Sequence, residues 1–138
     1  DMPRESFEKI VAEEFPRAVP ERFRARIKNV AAIVEWEPDK ETRQEEGLSE
    51  DETLLGLYRG IPNTLRGSEY GVGATLPDTI TLFQSPIEEE AKHVAHVKTI
   101  SEEDAVRQVI RDTIWHEVAH YFGMSEGEVR ARERKAGT

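Results

Sequence analysis

The stretch SEEDAVRQVIRDTIWHEVAHYFG, residues 101–123, decides the reading of the chain. Ser101 followed by Asp104 resembles a capping box, with Asp where Glu or Gln is preferred, so a helix starts there. Ala105, Val109, Ile110, Ile114, Val118 and Ala119 repeat at helical spacing and predict one buried face to about Phe122. Gly123 suits the stop, since glycine takes the left-handed backbone that ends many helices. Near the end of this helix stand His116, Glu117 and His120.

Two histidines four residues apart project from one helix face, about one turn apart. Neutral imidazoles at that spacing can grip one Zn²⁺ through nitrogen at about 2.0–2.1 Å. Glu117 flanks such an ion without binding it. There it is the candidate general base for a water whose pKa the metal has lowered. A catalytic zinc needs a third protein ligand and one open position. Gly123 lets the chain turn back, and Glu126 follows three residues later as the first candidate for that ligand. Glu133 and Glu128 are the alternatives. Glu128 is the weaker, because with Ser125 it forms a capping box for a last helix over about 126–135.

Outward from this helix, Phe7, Ile10, Val11 and Phe15 predict a helix over 6–16, ended by Pro16. Pro20 opens a second over about 20–28. Val30–Trp36, Leu54–Ile61 and Thr79–Phe83 read as strands. The polar, aperiodic 37–52 reads as a long surface loop, and the Gly- and Pro-rich 62–77 as another. Pro86 opens a short acidic helix, Ile87 to about His93. Helices, three strands, then helices make an α+β order in a single domain over 1–138.

The balance of 19 basic and 28 acidic residues, a net charge of −9, argues against a nucleic-acid binder, which needs clustered Lys and Arg. No apolar run approaches the roughly 18 residues of a membrane span, and no secretory signal is visible. With no cysteine there is no disulfide, thiolate zinc site or cysteine nucleophile. A cytoplasmic protein is the expectation.

Several segments together resemble the small bacterial zincin-like metallopeptidases. Leu54–Pro62 (LLGLYRGIP) is similar to that family's LGLYxGIP segment, and Leu76–Phe83 (LPDTITLF) to its LPDxITLF run. Arg66-Gly67, Tyr70-Gly71, Pro86-Ile87-Glu88 and His116–Gly123 also match, so the resemblance spans about residues 5–135. It implies a minimal zincin fold, a small mixed sheet packed on an active-site helix with flanking helices. It also implies bound zinc, an acidic residue at position 126, and a peptide or protein substrate. Tyr121 departs from the pattern, since His is common there. The rival from another class is a catalytically weak zincin-fold module that keeps its zinc and binds peptide. Retention of Glu117 favours hydrolysis.

Other residues weigh less. His93 and His96 read as surface histidines at a helix end. Arg66 and Tyr70 are candidates for stabilising an oxyanion, with loop packing the commoner use. Thr79–Phe83 is a candidate edge strand for an added peptide strand. Trp115 reads as core, and Asp112, one turn before His116, as a candidate to orient its imidazole.

Overall fold

The computed structural model describes residues 1–27, 29–61 and 76–123. The order is α1 (Arg4–Ala18), α2 (Glu21–Arg24), a 3-10 turn (Ala25–Ile27), β1 (Val30–Glu35), α3 (Lys40–Glu45), β2 (Gly56–Arg59), β3 (Asp78–Phe83), α4 (Gln84–Lys98) and α5 (Glu102–Tyr121). The fold is α+β. No helix among the described residues is long and apolar enough to cross a membrane.

The helix read from residues 101–123 is α5. The Ser101 side chain accepts from the Asp104 N–H, and Gly123 follows at φ 77°. Its buried face packs against α1, α4 and the strands β2 and β3. Phe7, Ile80, Leu82, Ile87, Ile110 and Ile114 are fully buried where these elements meet. Trp115 is buried too, against Phe23, as core.

The sheet is mixed, in the order β1-β3-β2. β1 runs parallel to β3, pairing Val30 with Asp78 through Glu35 with Phe83. β2 runs antiparallel to β3, pairing Gly56 with Leu82 through Arg59 with Thr79. The expectation that Thr79–Phe83 forms an edge is therefore corrected. β3 is central, and both sides of its backbone are spent on neighbours. Pattern alone hid this: Ile80, Thr81, Leu82 and Phe83 form a continuous buried run, as a central strand does.

Other boundaries also move. Residues 37–52 contain a helix, α3, capped by the Asp39 side chain on the Thr42 N–H. It is only six residues long and buries only Thr42, so no apolar period announced it. Helix α1 continues past Pro16 to Ala18. Helix α4 starts at Gln84, directly from β3, and runs to Lys98. Pro86 therefore lies in its first turn, where a missing N–H costs nothing. The second helix shortens to one turn plus the 3-10 turn. The predicted last helix lies outside the described residues.

A buried carboxylate joins α1 to α5. Glu14, 1% exposed, takes Arg111 at 2.7 Å and Arg107 at 2.9 Å. Burial pushes its pKa up, but the hydrogen bonds and charges of these arginines outweigh that and hold it below 4.5. A depressed pKa adds stability above the unfolded value, and that stability is lost as pH falls through the folded one. Glu14→Ala is expected to lose about 1.5–3 kcal/mol at pH 7, the range for hydrogen bonds to charged groups. Urea unfolding of both proteins checks it. The deficit should begin to shrink below pH 4.5 and be lost only once pH has fallen through the depressed folded pKa.

Candidate metal centre

His116 and His120 leave α5 on one face, with ring centroids 5.8 Å apart and planes 80° apart. Zn–N bonds of about 2.0–2.1 Å at tetrahedral angles put two ring centres about 5–6 Å apart. The pair therefore fits a shared ion. The His116 Nδ1 lies 3.2 Å from the Asp112 carbonyl oxygen. Only a protonated Nδ1 can serve a carbonyl, which leaves the Nε2 lone pair for a metal. The orienting group is thus the main chain of Asp112. Its carboxyl is pushed up by burial, with Arg111 and Gln108 partly offsetting.

Glu117 points to the sheet. Its Oε1 accepts from the Tyr58 N–H of β2 at 3.1 Å. Burial pushes its carboxyl above the usual range; the Tyr58 N–H, His120 and His116 pull the other way, and Glu46 adds to the rise. The charge of Glu46 acts here because α3 docks beside the site: Arg59 of β2 donates to Thr42 at 2.9 Å and to Thr81 at 3.3 Å.

Residues 56 and 58 share one face of β2, and Gly60, just past its end, continues that face. A Cβ on Gly56 would stand 2.7 Å from the Thr113 methyl and 3.0 Å from the Thr81 carbonyl oxygen. One on Gly60 would collide with the Tyr121 hydroxyl and ring. Thr113, Glu117 and Tyr121 are successive turns of α5, so the two glycines let the helix lie close enough for Glu117 to reach the strand. Gly56→Ala is expected to lose about 1–3 kcal/mol, the cost of overpacking. Adding Thr113→Ser removes the clashing methyl and should recover part of it, read by urea midpoints.

The sequence reading missed the role of Tyr58 and the two glycines. The period-two pattern Gly56-x-Tyr58-x-Gly60 carried the signal, since it strips one strand face of side chains around a single tyrosine. His93 and His96 are exposed on α4, as expected. Among the described residues no three His, Asp or Glu side chains form a metal-holding group. Glu126, Glu128 and Glu133 lie outside the described residues, as do Arg66 and Tyr70.

No curated protein matches the chain. A family model described as zincin-like metallopeptidase matches residues 27–136, a span that holds all three strands, the histidine pair and Glu117. The chain belongs to the zincin-like metallopeptidase family.

Proposed function

We propose that the chain hydrolyses peptide bonds, with Glu117 as general base and with His116, His120 and Glu126 holding a zinc ion. The observation that carries this reading is the division of labour on α5. Two imidazoles share one face, while the carboxylate between them is half-buried and held by a backbone N–H. When bound, zinc supplies a Lewis acid and brings the pKa of water toward neutrality. Glu117 uses its second oxygen to take the proton of the attacking water and passes it to the leaving amine. Its raised pKa suits that task, because a base poised closer to working pH both accepts and returns a proton. The Asp112 carbonyl keeps His116 in the tautomer that presents Nε2.

Among the described strands β2 is the outer one beside this carboxylate and β3 is paired on both sides, so a substrate strand would run along β2, not along β3. The substrate is a peptide or an unfolded protein segment. The test is zinc content with cleavage of an unstructured protein. One zinc per chain is expected, with cleavage stopped by a chelator and restored by zinc. Cleavage indifferent to the chelator would sink the reading.

A further inference from the structure

We propose that Asp78 is a positioning residue for Glu117, acting through Tyr58 at the outer edge of β2. It rests on the reading of Glu117 as general base. In the β2–β3 pair the Phe83 N–H donates to the Leu55 carbonyl at 2.9 Å. Antiparallel pairs alternate, so 57/81 and 59/79 also share ladder bonds, while 56/82 and 58/80 do not. The Tyr58 N–H therefore points away from β3, where Glu117 Oε1 takes it. The position of that N–H, and with it the carboxylate, depends on what holds Tyr58 from its side chain.

One such holder is Asp78, the first residue of β3. The Tyr58 hydroxyl donates to its Oδ2 at 2.6 Å, and the Ile61 N–H donates to its Oδ1 at 2.9 Å. One carboxylate thus grips the strand on both sides of Gly60. Asp78 is 7% exposed, and burying a carboxylate is costly where an apolar residue would pack. What the carboxylate adds is direction: a short, charge-assisted bond from an O–H and a second from a backbone N–H. The Tyr121 ring closes the assembly, stacked on Tyr58 at 4.0 Å and 23°, and it lies against Gly60. Asp78, Tyr58 and Glu117 are far apart in sequence, yet one hydrogen-bonded line joins them.

The experiment is amide hydrogen exchange by NMR on the zinc-loaded chain, with zinc content measured for each variant. Tyr58→Phe removes only the hydroxyl bond; Asp78→Ala removes both. Each should speed exchange at the Tyr58 amide by about tenfold, while the ladder amides of Leu57 and Arg59 change less and zinc stays at wild-type content. Asp78→Asn keeps an oxygen for the Ile61 N–H and offers an N–H to the Tyr58 oxygen, so it should restore the protection lost in Asp78→Ala. With a cleavable peptide, Tyr58→Phe should lower kcat by about 10–100-fold and leave KM unchanged, as misplacement of a reacting group does. Glu117→Ala should speed exchange at Tyr58 whether or not the chain cleaves peptide, so the positional claim is read separately from the catalytic one. Unchanged exchange at Tyr58 in Tyr58→Phe, or equal acceleration at residues 57, 58 and 59, overturns the proposal. So does a Glu117→Ala chain with wild-type exchange at Tyr58.

Discussion

Glu117→Gln is expected to keep one zinc per chain and the wild-type unfolding midpoint, and to cleave peptide about 10²–10⁴-fold more slowly, the range for loss of a general base. The amide is nearly the same size, and its oxygen still accepts the Tyr58 N–H that Glu117 Oε1 accepts. Its nitrogen side carries no lone pair that can take a proton. The change therefore touches proton transfer and little else. Rates with a fluorogenic peptide, beside zinc analysis and urea unfolding, decide it. Equal cleavage by the variant removes Glu117 from the chemistry. A zinc-free variant would mean that the residue serves the metal.

The second large effect concerns the metal. His116→Ala and His120→Ala should each lose tight zinc binding, because two remaining ligands hold the ion poorly. Loss of a group that merely supports a ligand costs about 10–100-fold in affinity, so loss of a ligand should cost at least that. Both side chains lie at or near the surface, so neither change empties the core. The same measurement, competition with a chelating dye, ranks the acidic candidates. Glu126→Ala should weaken zinc strongly and Glu133→Ala should not. Gly123 at φ 77° supports this order, since it turns the chain just three residues before Glu126. The reverse ranking would move the third ligand into the following segment.

How legible was the chain? Helix α5 was readable nearly to the residue, because its signals are local. A capping serine, a stripe of apolar residues and a stopping glycine each act within a few positions, and the pair His116 and His120 sits inside the same periodic segment. The three strands were readable for the same reason. Their ends moved by one or two residues, and α3 escaped because six polar residues with one buried threonine leave no periodic trace.

Composition and local spacing were enough for an α+β domain with histidines presented in pairs and a carboxylate between them. Strand order was not available that way. Pairing depends on which backbone edges meet across 20 to 50 residues of chain, and that depends on the whole core closing. Only the folded structure puts β3 in the centre and leaves β2 outside. It also sets Gly56 and Gly60 under α5 so that Glu117 meets an N–H from 59 residues away. A local pattern specifies which side chains a helix presents. What those side chains touch is decided by long-range packing, where a missing Cβ or a buried carboxylate has meaning only once its neighbours are in place.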